Sequence, residues 1–589
     1  MSTKWIVAGI IGVVLSCNTV VSAATPQSDW ADFLHYTAIG KLDLAKGYGE
    51  SLLAANPDPL VMLDLADENP SGYALLVKLN SGKSELADIS GKILAIIEQG
   101  RFIRRSDPKI INEEITRLST TARGRITALE RLKNAGEYAV VYMISALQDT
   151  SRKEELPNIV WAMGQLGKGA VSPLIAALQV EEPAIKIEVI RALGQIKYPE
   201  SAAYLKFCAE KNDSPQIAQA AVAALQNIDA SAANTPAATL FYQLGQSYYD
   251  RVDSLTPPAD ANFVNIWFWN KEKQTLTREK VSPKIYNELM AMRVCEFALK
   301  ADENAGQAIG LWVDAFFRLE STGMQQPAYF GAEHPGAMTY ATTAGPEYLH
   351  QALARAIAAK ETFVVHNVVE ALGASAGEKS LMYYVGTQQP LVQALNYDDK
   401  AVRYSAALAI ASARPAMKFD GSDIATKLLG EALAAEANGV SQEQAARYAQ
   451  RSAAAMLKLS QSRNRVIDLL LIQAHIIAVA EDVKRGELQQ IAMLILANME
   501  GPDAQRALAR IATEMELEMP LKLLAFNALA ESAKLNANLL TDEQINAIYE
   551  IIRSSEAPQE LRSAASAAYG ALNLPSRKAK DLVIDQAKS

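Results

Sequence analysis

Cysteine is scarce in this chain: three in 589 residues, Cys17, Cys208 and Cys295. No C-x-x-C occurs, which excludes a dithiol redox motif and a thiolate zinc knuckle. The five histidines, His35, His334, His350, His366 and His475, are scattered. No H-E-x-x-H or H-x-x-x-H spacing sets two imidazoles on one helical face, so a helix-borne metal site has no ligands to build on. Phosphate loops of the G-x-x-x-x-G-K-[ST] and G-x-G-x-x-G kinds are also missing, and nucleotide handling loses its cradle. Aromatic residues make up only 7%. A basic excess is lacking too: 57 Lys and Arg stand against 66 Asp and Glu, a net charge of -9, with no long run of one sign. Sequence-independent nucleic-acid binding needs a basic footprint, so no nucleic-acid partner is expected.

What the chain has is apolar residues, 50% of the total, arranged in a recurring stripe. Positions i, i+3, i+4, i+7, i+8 and i+11 are apolar or small from Leu488 (Ile491, Ala492, Ile495, Leu496, Met499), from Leu521 and from Leu561. Earlier copies begin at Ile217 and Val402, and a degraded one at Ile185. This is the period of an amphipathic helix, stamped out in series. Position 185 to 217 is a step of 32 residues, 488 to 521 one of 33, and 521 to 561 one of 40. Steps of that size hold one helical hairpin each, and a chain of this length adds core unit by unit rather than around one centre. Pro183 and Pro215 stand at first-turn positions, where a missing N–H costs little.

The N-terminus reads as an export signal. Lys4 precedes the apolar run Trp5 to Leu15, and Val21-Ser22-Ala23 supplies small residues for cleavage, predicting a mature start near Ala24. The run breaks at Ser16-Cys17-Asn18-Thr19, short of the roughly 20 residues that span a bilayer, so no membrane span is expected after cleavage. Val14-Leu15-Ser16-Cys17 resembles a lipobox, which makes Cys17 a candidate for lipidation and a lipid anchor. Cys208 and Cys295 lie in helical patterns, either as two small buried side chains or as one disulfide of an oxidising compartment.

The strings AMGQLGKGAVSPLIAAL, RALGQIKYPESAAYL and PLVQALNYDDKAVRYSAALAIA resemble HEAT repeats of the short HEAT-like variety, as in bacterial exported HEAT-repeat proteins. AATLFYQLGQSYYDRVDSL resembles a tetratricopeptide helix, with Phe241, Leu244, Gly245 and Tyr248 in the places of that motif's aromatic, Leu, Gly and Tyr. Between them NFVNIWFWNKEKQTLTREKVS alternates on both sides of a polar turn, as a β-hairpin does. The fold class implied is all-α: an α-solenoid, an ARM-type or HEAT-like superhelix, with a small β-hairpin insertion. The expected order is a signal peptide (1–23), a helical cap (24–118), HEAT-like repeats (119–232), tetratricopeptide-like helices (233–320) carrying the hairpin (262–282), a Gly/Pro-rich loop (321–345), HEAT-like repeats (346–415), a linker (416–442) and C-terminal HEAT-like repeats (443–589).

A solenoid of this kind implies a non-catalytic scaffold binding protein partners, placed by its signal in the periplasm or cell envelope. Trp267 and Trp269 share one face of the hairpin and are candidate partner contacts, tryptophan being enriched at interface hot spots; the other reading has both faces covered by neighbouring helices. Tyr142, Lys206 and Tyr383 are further candidates on second helices of pairs. Glu333-His334, in the long loop, is the nearest thing to the His-Glu pairs of HEAT-like iron hydroxylases, but it is reversed and alone. No catalytic or metal residue and no cofactor is assigned. The alternatives are a cofactor- or pigment-handling HEAT-like enzyme of the bilin-lyase type, and a structural envelope protein anchored through Cys17.

Overall fold

The computed structural model describes residues 25–258, 260–434, 436, 438–576, 580 and 584. The signal segment, Cys17 and the mature start near Ala24 lie outside them. The described residues form thirty α-helices and one two-stranded sheet. The fold is an all-α solenoid of paired helices with a small antiparallel hairpin. No helix among the described residues is long and apolar enough to cross a membrane.

The helices begin and end where local chemistry says they should. Thr121 caps Ala122–Ala135, its hydroxyl accepting from the Gly124 amide at 3.0 Å. Ser441 and Gln444 form a reciprocal capping box at the head of Gln442–Gln461, and Thr541 and Gln544 another at Asp542–Arg553. Ala122–Ala135 and Glu137–Gln148 are joined by the single residue Gly136 at φ 57, a left-handed turn that a Cβ would strain.

Two compact units divide the chain. The first holds residues up to Ser201, with Pro215–Ile228 and the hairpin tip Trp267–Thr277. Its amino-terminal core gathers Trp30, Phe33, Leu52, Met62, Leu76 and Ile93 from successive helices. Farther along, Leu132, Met143, Ile159, Leu174, Val189 and Leu225 continue the buried stripe from pair to pair. The second unit holds Ala202–Ser214, Asp229–Ile266 and the chain from Arg278 onward. There Tyr204, Phe241 and Phe297 pack with ring centroids 4.9 to 5.4 Å apart, tying Ala202–Lys211 and Ala237–Tyr249 to Pro283–Ala301. In Ala237–Tyr249, Phe241, Gly245 and Tyr248 are buried and Leu244 half-buried.

Two expectations change. The stretch 416–442, read as a linker, contains the helix Ser422–Leu433, whose Ala425, Leu428, Leu429 and Leu433 are buried. The breakers Gly421, Asn438 and Gly439 bracket a stripe too short to stand out in sequence. The loop 321–345 likewise contains a 3₁₀ turn, Ala328–Phe330, and a helix, Ala337–Ala344, whose residues other than Met338 and Tyr340 are small and leave little apolar contrast. Glu279 pins the turn by accepting from the Ala328 and Tyr329 amides at 2.6 and 3.2 Å.

Candidate functional site

The hairpin strands are β1 (Val264–Asn270) and β2 (Thr275–Val281). Trp267 and Trp269 are 2% and 7% exposed. Trp267 donates its indole N–H to Glu137 Oε2 at 2.8 Å and meets Tyr138 edge to face, centroids 6.2 Å apart. Ile266 is buried as well, so both faces of the strand are covered. The two indoles fill interior space rather than presenting a contact, because buried rings offer a partner little area; Trp267 has its N–H satisfied by Glu137, whereas the Trp269 indole nitrogen is buried without a hydrogen-bond partner among the described residues. Lys206 is also engaged, donating to the Ala233 carbonyl at 2.6 Å. Tyr142 is half-buried. Tyr383 is 39% exposed and stacks on buried His350 at 5.9 Å. Burial pulls the His350 imidazole down to about 4. Cys208 and Cys295 are both thiols, and burial pushes the Cys295 thiol up.

His334 sits among aromatic rings, 4.4 Å from Phe330 and 5.4 Å from Tyr340 between centroids, with Nε2 3.3 Å from the Tyr340 hydroxyl. It is part of how the loop packs. Among the described residues no group of three or more His, Cys, Asp or Glu side chains is placed to hold a metal ion.

The second unit turns one set of polar side chains inward. Asp314 is fully buried and accepts from Arg355 Nη1 at 2.6 Å, and Arg355 Nη2 reaches the Tyr242 hydroxyl at 3.1 Å. Burial pushes the Asp314 carboxyl up to about 7, against the opposing pull of Arg355. Four residues on, Arg318 forks onto Glu361 and lies over the Tyr249 ring, 3.3 Å from its centroid. Tyr249 donates to the same Glu361 at 2.8 Å. These groups bind Ala237–Tyr249, Gly306–Ser321, Pro346–Ala358 and the head of Thr362–Ser375 into one network.

A second cluster has the residue types of a hydrolytic triad. Ser405 Oγ lies 2.5 Å from Glu370 Oε1, 3.3 Å from His366 Nε2 and 3.2 Å from the Tyr448 hydroxyl. Arg451 clamps Glu370 at 3.0 and 2.9 Å. Burial raises the Glu370 carboxyl, but its bonds to Arg451 and Ser405 outweigh that and hold it below the usual range. Yet the carboxylate accepts from the serine itself, so it does not orient the imidazole as a triad acid does, and Ser405 is 1% exposed. The cluster works as a polar knot joining three helices. On the same helix as His366, Gly373-Ala374-Ser375-Ala376-Gly377 matches G-x-S-x-G by letter. Ser375 ends a helix and donates to the Ala371 carbonyl at 2.8 Å, not on the strand-to-helix turn that exposes a nucleophile.

An exposed polar surface with no internal use lies in the first unit. Pro183–Ile196 and Pro215–Ile228 approach closely at Gly194, where a Cβ would come 2.7 Å from Ala224 Cβ and 2.8 Å from its Cα. Beside that contact runs a groove of about 630 Å³, lined by Arg191 and Gln195 on one helix and by Gln216, Gln219, Ala223 and Asn227 on the other. Gln195 also lies over Gly164, at the end of Leu156–Met163, a helix that exposes Trp161 at 43%. Gln165, just past the end of Leu156–Met163, and Gln195 and Asn227, near the ends of Pro183–Ile196 and Pro215–Ile228, occupy matching positions of the first helices of three successive pairs, all exposed. The sequence carried that signal in the strings MGQLG, LGQIK and LQNID, but apolar periodicity does not register it.

Paired helices stacking through small residues, with an outward polar row at matching positions, define a repeat solenoid. The family model for HEAT repeats matches residues 123–226, which cover this face up to the residue before Asn227. A search of curated proteins finds no match. Among solved structures the chain is similar to one in the complex where Kap95p binding induces the switch loops of RanGDP to adopt the GTP-bound conformation, at 13% identity over 88% of this chain and 69% of that one, with a TM-score of 0.27. It is also similar to importin beta in an ammonium sulfate condition, at 12% identity over 85% and 69% with a TM-score of 0.19. A third is a circular tandem repeat protein with novel repeat topology and enhanced subunit contact surfaces, at 10% identity over 95% and 97% with a TM-score of 0.15.

Proposed function

We propose that this chain is an exported, non-catalytic scaffold of the cell envelope that binds protein partners on the outer face of its HEAT-matched helices. One observation carries the reading: within residues 123–226 an exposed Trp161 adjoins a row of amide side chains that make no hydrogen bond to another described residue. Trp is a frequent interface anchor, and uncommitted amides on a rigid helical face are available to a partner. Export rests on the sequence of residues 1–23. Mass spectrometry of the mature N-terminus separates a free Ala24 from a lipidated Cys17, and an intact Met1 would remove the envelope placement. A photo-crosslinking amino acid at position 161 or 223 of the full chain, in its own cells, is expected to capture protein in discrete bands. Capture no stronger than from position 92, an exposed site elsewhere in the unit, would sink the scaffold reading.

A further inference from the structure

Resting on the scaffold reading, we infer that the groove between Pro183–Ile196 and Pro215–Ile228 holds a partner polypeptide in extended conformation, gripped through its main chain. Gln195, Gln216, Gln219 and Asn227 line the groove, and none of them bonds to another described residue. Each amide offers two N–H donors and a carbonyl acceptor, the complement of a peptide backbone that presents one of each per residue.

The charge of the groove selects the same occupant. Arg191 is the one charged side chain among its lining residues, and it is engaged with Glu188 at 2.6 Å. A polyanion finds no free cation row, and Ile187 with three alanines is too little apolar surface for a lipid. A neutral, doubly polar main chain fits. The floor supports it, since Ala220, Ala223 and Ala224 carry nothing beyond Cβ and let a backbone approach.

Spacing agrees as well. Arg191 and Gln195 are four residues apart on a helix, about 6 Å along its axis, against about 6.6 Å for a dipeptide of extended chain. From Gln216 to Asn227 the stripe runs eleven residues, about 16 Å, the reach of about five extended residues.

The test pans a phage-displayed library of random dodecapeptides on the full chain and synthesises the enriched sequences. Binding is expected to fall about tenfold or more on the triple variant Gln195→Ala, Gln219→Ala, Asn227→Ala, through loss of hydrogen bonds. N-methylation of alternate peptide amides should weaken binding to the unsubstituted chain by a similar factor, a readout independent of how the variant folds. Equal affinity for the triple variant, indifference to N-methylation, or no enrichment over a library panned on the triple variant each overturns the inference. If crosslinks at position 161 persist in those cases, the scaffold reading stands and only the groove falls; if they vanish too, both fall.

Discussion

Two regions, one in each unit, put the same kinds of polar side chain to opposite use, although the first unit also buries a few such groups, as where Glu114 accepts from Arg131. In the second, Asp314, Glu288, Ser405 and Gln505 are withdrawn from water and held by partners across helices. In the first, Gln165, Gln195, Gln219 and Asn227 stand in water with nothing to bind inside the chain. A buried polar group left unpaired costs far more than an exposed one, so inward groups specify how helices dock while outward ones are free for recognition. The difference teaches where to look for function in a repeat fold: at polar groups whose hydrogen bonds are unclaimed.

The comparison can be broken hardest at Arg355. Replacing it with Met leaves the fully buried Asp314 without its 2.6 Å partner, and at pH 8 should cost about 3 to 5 kcal/mol in urea unfolding. Adding Asp314→Leu should recover most of that loss. A double variant no more stable than the single one would show that the network is not a matched pair. Next in size is Gly194→Leu in the first unit. Its Cβ would collide with Ala224, and forcing the helices apart should cost about 1 to 3 kcal/mol and disturb the groove. Unchanged stability would mean the close approach is not part of the packing.

A pH series sharpens the same contrast. The folded Asp314 carboxyl sits at about 7 against an ordinary 3.8, because burial outweighs Arg355, with Glu361 adding to the rise and Arg318 opposing it. Between those values the folded chain holds a proton that the unfolded chain has released. This contribution to stability is therefore complete below about pH 4, falls as pH rises towards 7 and is gone above it. The slope is at most about 1.4 kcal/mol per pH unit. Asp314→Asn should remove it, seen as a urea midpoint that changes less than that of the unsubstituted chain between pH 5 and 8. Parallel curves would place the ionised pair in the folded state throughout.

Much of the helical plan was legible because its cause is local. The stripe from Ile217 names Ala221, Ala224 and Leu225, all buried, and the alternation around Trp267 gives the hairpin its strands. Ser422–Leu433 was hidden by the breakers on either side of it, and Ala337–Ala344 by its small residues. Pairings between distant positions were not legible at all. Glu137 meets Trp267 across 130 residues and Asp314 meets Arg355 across 41, and no periodicity links them. Only a lone acid in LWVDAFF and a lone base in LARAIA hint that each needs a partner. The amide row failed differently: its positions repeat in the sequence, but an exposed glutamine carries no apolar signal and reads as an ordinary solvated face.

The smallest expected effect therefore separates the two uses of polarity most cleanly, because it keeps the residue type fixed. Gln505 is fully buried, donates to the Ala537 carbonyl at 2.9 Å and accepts from the Leu539 amide at 2.7 Å. Gln505→Ala strands both backbone groups and should lower stability by about 1 to 3 kcal/mol. Gln219→Ala removes an exposed amide that holds nothing, and stability should stay within about 0.5 kcal/mol. Alanine is also the better helix former, so the sign of that small change should be neutral or stabilising. Urea unfolding of the two variants side by side measures both. A Gln219 variant as damaged as the Gln505 variant would mean that the groove amides serve the fold, and the contrast between the units would disappear with it.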